Sequence, residues 1–283
     1  MKRIAAPIRF RWKSATMLVA ASLFGLAAFL WPLTTNATGD ENLAHSTDAP
    51  WLFVIILPLL LGILLAELSE GGLDAKAIAM LGVLVACGAL LRAPVTGVTG
   101  FTGVFFLIVL GGRVFGRGFG FVQGATTMFA SALLTGGVGP WLPFQMLGSA
   151  WVGLLAGSLP PMRGRREVAM LAAYGALSGL IYGLVMDMWF WPFTTSGANE
   201  LHFVPGASVV ENLQRFWAFH LTTALGFDVA RAAGNAALIF VVGTPVLAAL
   251  RRASRRAAFE APVIFLDDRP SPEFERASVL PTP

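Results

Sequence analysis

Apolar residues along this chain come in blocks, and polar residues are confined to the gaps between them. Eight blocks stand out, at 14–33, 51–67, 75–91, 100–115, 119–135, 143–160, 168–190 and 220–250. Several reach the roughly 20 residues that a helix needs to cross a hydrocarbon core. Helices satisfy their own backbone hydrogen bonds in lipid, so the blocks predict helical spans. Strands of a membrane barrel would alternate apolar and polar positions over about ten residues, and that alternation is absent. The fourth block is the shortest and carries Gly111 and Gly112. Between the fifth and sixth, LLTGGVGPWLPFQM (133–146) sets three glycines and two prolines into apolar sequence, which predicts a tight turn.

Composition turns that pattern into a membrane prediction. Of 283 residues, 56% are hydrophobic and 13% are charged, against about 25% charged in a soluble domain. Mean hydropathy is +0.71. Too few charges remain to cover a water-facing surface, so the expected fold class is an all-α polytopic membrane protein. The net charge of +4 is no nucleic-acid footprint, because Lys and Arg lie at span ends, where membrane topology explains them. Cys87, the single cysteine, excludes an intrachain disulfide or a cysteine-based metal site.

The charges also orient the spans. The head MKRIAAPIRFRWK holds Lys2, Arg3, Arg9, Arg11 and Lys13 without an acid. Alternation from a cytoplasmic head puts Lys76, Arg113, Arg117, Arg163, Arg165 and Arg166 on the inner side. The last span then exits inward into Arg251, Arg252, Arg255 and Arg256, while the outer loops keep only Arg92 and Arg215. Eight spans with both termini cytoplasmic follow from the positive-inside rule. The first block also reads as a secretory signal, with small residues near Ala37, whose removal leaves the other seven in the same orientation. The tail 257–283, rich in proline and charge, reads as disordered.

Signatures of soluble catalysis are missing: there is no HExxH, no GxSxG and no Walker A lysine. GGRVFGRGFG (111–120) shares only glycines with a phosphate loop and reads as a cytoplasmic turn. His45, His202 and His220 fall in or beside outer segments, where solvated or interfacial positions are expected. No pair of metal ligands recurs at helical spacing, so neither a metal nor a cofactor is predicted.

Polar residues near the outer ends of the last two blocks carry more information. Asp187 precedes Trp189-Phe190-Trp191-Pro192, Asp228 and Arg231 stand three apart, and Asn235 lies one turn deeper. A charge at the bilayer centre costs about 2.5–3.5 kcal/mol on insertion scales, so such residues face a cavity or a partner. Asp228 and Arg231 can also pair on one helix face. The same outer side receives the loop 93–100, the break at 136–141 and the loop leading to the last span. Together they suggest an outward-facing, mostly apolar ligand cavity built from Trp141, Gln145, Asp187, Trp189, Trp191, Asp228, Arg231 and Asn235. The tryptophans alternatively form an interfacial belt.

In the third block Ala75, Ala79, Gly82, Ala86 and Ala89 follow one another at spacings of 4, 3, 4 and 3. These small residues fall along one helix face and suit close approach of another helix, either inside the bundle or from a partner. A stand-alone secondary transporter would carry a mid-membrane ion site and commonly repeat symmetry, and an intramembrane enzyme a nucleophile–base set. The sequence displays none of these.

The run from LDAKAIAMLGVLVACGALLR through GFTGVFFLIVLGGRVFGRGFGFVQGA, SALLTGGVGPWLPFQMLGSAWVGLLAG and GLIYGLVMDMWFWPF resembles the substrate-binding S components of energy-coupling factor (ECF) transporters, over roughly residues 71–250. GPWLPFQM followed by a Gly/Ala-rich helix is its most specific part. The resemblance implies a six-helix core at 71–256, a two-helix membrane extension at 1–70 of the kind associated with actinobacterial-type members, and the tail 257–283. It implies capture of a vitamin or related micronutrient from outside, without catalysis, for ATP-driven uptake in the cell membrane. The implied partners are a transmembrane coupling subunit and two cytoplasmic ATPases. The coupling subunit would dock on the small-residue motif, matched here by Ala75-xxx-Ala79 and Gly82-xxx-Ala86. A tryptophan-rich outer surface suits a corrinoid such as cobalamin, and thiamine precursors and other small heterocycles stand beside it.

Overall fold

A computed structural model describes residues 12–34, 75–92, 102–139, 141–193 and 201–257. The second predicted block, the loop 93–100, the basic head before Trp12, His45 and the tail from 258 lie outside the described residues. The other seven blocks are all helices: α1 (Trp12–Thr34), α2 (Ala75–Arg92), α3 (Val104–Phe115), α4 (Arg117–Thr135), α5 (Leu142–Ala156), α6 (Gly164–Phe190) and a final pair. That pair is α7 (Val209–Phe219) and α8 (Leu225–Ala257), joined without a break through a π-helical turn, His220–Ala224. No strand occurs among the described residues.

Helix α6 and the continuous Val209–Arg256 helix are each long and apolar enough to cross a membrane. By contrast α3, with 12 residues, is about 18 Å long, well short of a hydrocarbon core of about 30 Å. Its sequence shows why this is tolerated. Every residue from Val104 to Gly112 is buried, because α2, α4, α5, α6 and α8 all pack around it. A helix sheathed in protein has no lipid thickness to match.

Small residues bring α4 and α5 together. A methyl group on Gly120 would strike the carbonyl of Gly153, and one on Gly153 would strike the carbonyl of Gly120. One turn along, Gly124 meets the backbone of Ser149 in the same way. This Gly-xxx-Gly face lets the two backbones touch, the packing that substitutes for a hydrophobic drive in lipid. The stripe on α2 is placed differently. Ala79, Gly82 and Ala86 are exposed, nothing lies within 4 Å of a Cβ built on Gly82, and Ala89 turns into the core.

Helix α1 packs on the same bundle through Phe29, whose ring meets Phe144 edge-on at 5.0 Å, and through Trp151 Nε1, which donates to Ser22 Oγ at 2.9 Å. At the end of the bundle carrying the α6 N-terminus, Glu167 is 1% exposed. It accepts from Arg113 Nε at 2.8 Å and from Arg251 Nη2 at 2.6 Å. Arg113 also donates to the Leu159 carbonyl at 2.9 Å. Two arginines that mark sidedness in the sequence therefore also lock α3, α6, α8 and the α5–α6 turn together.

Candidate ligand-binding site

The break LLTGGVGPWLPFQM builds one wall of the site. Helix α4 stops at Gly136, whose φ of 65° is left-handed and therefore suits glycine. The Gly137 amide donates to the Ala132 carbonyl at 2.9 Å, closing the helix end. Pro143 then sits in the first turn of α5, where its missing N–H costs nothing. Gln145 follows in that turn, and its Oε1 accepts from Arg92 Nη2 at 3.3 Å. The other arm of Arg92 donates to Ser131 Oγ at 3.0 Å. One arginine at the end of α2 thus ties α2 to both α4 and α5.

The opposite wall comes from α6, the π turn and α8. Asp187 Oδ2 lies 2.7 Å from His220 Nδ1. Asp228 Oδ1 accepts from Arg231 Nη1 at 2.6 Å, and that same nitrogen reaches the Gly179 carbonyl at 3.2 Å. The guanidinium stands 5.5 Å above the Tyr182 ring, a cation–π distance. Asp228 presses so closely on α6 that a Cβ on Gly183 would overlap its carboxylate. His220 is buried and its ring lies nearly parallel to Phe216 at 5.9 Å. The solvated or interfacial position expected for His220 is therefore corrected. The π turn winds the chain wider than 3.6 residues per turn, which alters the face on which this ring emerges.

Between the walls lies a cavity of about 410 Å³, within the usual range for small-molecule sites. Arg92, Gln145, Asp187, Asp228 and Arg231 line it together with Tyr182, and phenylalanines, threonines and small apolar residues supply the rest. The lining is mixed: the charged and amide groups converge on a surface to which apolar side chains contribute the larger share.

Of the eight residues singled out in the sequence, the structure brings Gln145, Asp187, Asp228 and Arg231 to this cavity. Asn235 sits close by, buried, with Nδ2 donating to the Thr102 carbonyl at 3.0 Å and to the Arg231 carbonyl at 2.9 Å. It fixes the start of α3 against α8. The three tryptophans are elsewhere. Trp141 is 42% exposed and donates to the Gly137 carbonyl at 3.0 Å, clasping the turn. Trp189 is buried against Phe144 at 4.6 Å. Trp191 is fully buried between Phe203 and Phe216 and donates to the Leu201 carbonyl at 2.7 Å. None of the three lines the cavity, and Trp189 and Trp191 do not form an interfacial belt either, since both are buried inside the fold.

Arg92 and Tyr182 line the cavity and His220 stands behind it against Asp187; sequence reasoning named none of the three as ligand-site candidates. Arg92 did leave a signal: it is one of two arginines that the predicted topology assigns to the outer side, against the charge rule. A cation kept on the unfavoured side has a local reason, and here the reason is Ser131, Gln145 and the cavity. Residues 76–243 match the family described as ECF transporter, substrate-specific component. That stretch contains every cavity residue named above. No curated protein and no solved structure matches the chain.

Proposed function

The chain belongs to the family of ECF transporter substrate-specific components, and from that premise we propose that its cavity captures a small, polar, vitamin-like compound from the outer face of the membrane. Members of this family are transporter subunits that work with a coupling subunit and ATPase subunits. The observation that carries the reading is the cavity itself. In a chain with 13% charged residues, two carboxylates and two guanidiniums converge on one space of about 410 Å³. A charge placed in a membrane span is costly unless function or pairing holds it there.

The ligand we favour is a compact heterocycle bearing both hydrogen-bonding and charged groups. Arg92 and Gln145 offer donors on one side, and Asp187 and Asp228 offer acceptors on the other. The case for a corrinoid rested on tryptophans around the opening, but Trp189 and Trp191 are buried in packing and Trp141 clasps the turn outside the cavity. A cavity of this volume suits a drug-sized ligand better than a macrocycle such as cobalamin.

We further propose eight spans with cytoplasmic termini, and docking of the coupling subunit on Ala79, Gly82 and Ala86. The exposure of these three residues supports the docking reading over internal packing. Native mass spectrometry of the full-length chain purified in mild detergent tests the capture reading. A single co-purifying small compound that is lost in Arg92→Gln is the expected result. A chain that carries no compound, and that binds none from a vitamin panel, overturns it.

A further inference from the structure

The acidic wall of the cavity holds donors that ligand capture alone does not require. Asp187, His220 and Asp228 each present one ligand-type atom, and these atoms lie within 4.8 Å of one another. They come from α6, the π turn and α8, so no sequence spacing announces them. The arrangement has an order. Asp187 Oδ2 occupies the Nδ1 side of the imidazole at 2.7 Å. Nε2 is then directed toward Asp228 Oδ2, 3.8 Å away. That oxygen is buried and has no hydrogen-bond partner, while its sister oxygen is taken by Arg231.

A buried carboxylate oxygen without a hydrogen-bond partner is costly, and a cation beside it would offset that cost. Bonds from zinc to imidazole nitrogen and carboxylate oxygen are about 2.0–2.2 Å each. Two such bonds sum to about 4.2 Å, more than the 3.8 Å separation, so one ion can touch both atoms. A carboxylate that accepts the proton of the other ring nitrogen is the usual orienting partner of a metal-bound histidine. Stacking on Phe216 and edge contact with Trp217 hold the ring plane. Calcium and magnesium favour all-oxygen shells, whereas imidazole with carboxylates suits zinc and its first-row neighbours.

We propose that His220 Nε2 and Asp228 Oδ2 bind a divalent first-row metal ion of the zinc type, with Asp187 orienting the imidazole. Asp187 and Asp228 line the cavity, so water or donor atoms of a bound compound can fill the remaining coordination positions. The proposal concerns the same cavity as the capture reading but does not rest on it. Two self-contained ion pairs, Asp187 with a protonated His220 and Asp228 with Arg231, are the competing arrangement.

The full-length chain, tag-free in detergent, is stripped with a chelator and titrated with Zn²⁺ alone, then with Co²⁺ as a spectroscopic substitute. One equivalent of Zn²⁺ should remain after gel filtration, and Co²⁺ should give visible bands of an imidazole-ligated site. His220→Gln and Asp228→Asn should each abolish stoichiometric binding, and Asp187→Asn should weaken it by about 10–100-fold. Zn²⁺ retention equal to that of a His220→Gln/Asp228→Asn double variant overturns the proposal and leaves the ion-pair arrangement. Should either variant fail to fold, the wild-type Co²⁺ spectrum decides alone, since absence of imidazole-ligated bands is equally fatal. Co-purification of a small compound is read separately by mass spectrometry, so a failed metal site and a failed capture reading give different results.

Discussion

Side chains added at two glycines should have different consequences. At Gly153 the three atoms nearest an added Cβ are all backbone atoms of Gly120, its carbonyl oxygen nearest. No side chain can rotate away, so α4 and α5 must separate. Overpacking costs about 1–3 kcal/mol, and a backbone obstacle belongs at the upper end. Alanine's better helix propensity returns about 0.8–1.0 kcal/mol, which leaves Gly153→Ala roughly 2 kcal/mol less stable. With about 2–4 °C per kcal/mol for a domain of this size, Tm in detergent should fall by roughly 4–8 °C. At Gly82 nothing lies within 4 Å, so even Gly82→Leu should keep Tm or raise it slightly through propensity. The same variant should cut ATP-driven uptake by about tenfold if as little as ~1.4 kcal/mol of partner packing is lost, with ligand binding by the isolated chain intact. Thermal unfolding, ligand binding and uptake measured side by side separate the two sites. Equal loss of stability at both positions would put the α2 stripe inside the bundle and refute the docking surface; an unchanged Tm for Gly153→Ala would refute the tight crossing.

Other perturbations follow from the same geometry. Glu167→Gln removes the charge between Arg113 and Arg251; the loss should stay below the ~3–5 kcal/mol of a fully buried pair, because Arg251 is 39% exposed, and chemical or thermal unfolding reads it. Trp191→Ala should cost about 3–5 kcal/mol, whereas Trp191→Phe keeps most of the packing and should lose only about 1 kcal/mol with the bond to the Leu201 carbonyl. Trp141→Ala should change ligand affinity by less than about threefold, under 1 kcal/mol, because the indole clasps the turn outside the cavity. Arg92→Gln should weaken ligand affinity by about tenfold or more, in keeping with the ~1.5–3 kcal/mol of a charged hydrogen bond, and calorimetry on the two variants checks both statements.

The residues that were easiest to read were those whose role depends on neighbours in sequence. Asp187, Asp228 and Arg231 drew attention because charge inside an apolar block is rare, and the cavity is where they meet. The tryptophans were misread for the complementary reason. An aromatic beside a span end looks the same in sequence whether it faces a ligand, the lipid interface or a neighbouring helix. Only the positions of Phe144, Phe203 and Phe216 decide between these for Trp189 and Trp191. Arg92 and His220 were passed over because one was assigned to topology and the other to solvent.

What the sequence determined by itself is set by local physics: apolar blocks long enough to satisfy their own backbone in lipid, the turn forced by GGVGP, and the family signature carried by 76–243. Tertiary structure decided which faces meet. Gly120, Gly124 and Gly153 became the tight crossing while Ala79, Gly82 and Ala86 of the α2 stripe stayed outside, although both helices carry small residues four apart. A π turn swung His220 between two aspartates that lie 33 residues before it and 8 after it. Helical periodicity names a stripe on each helix, but the choice of partner for that stripe depends on all the other helices at once.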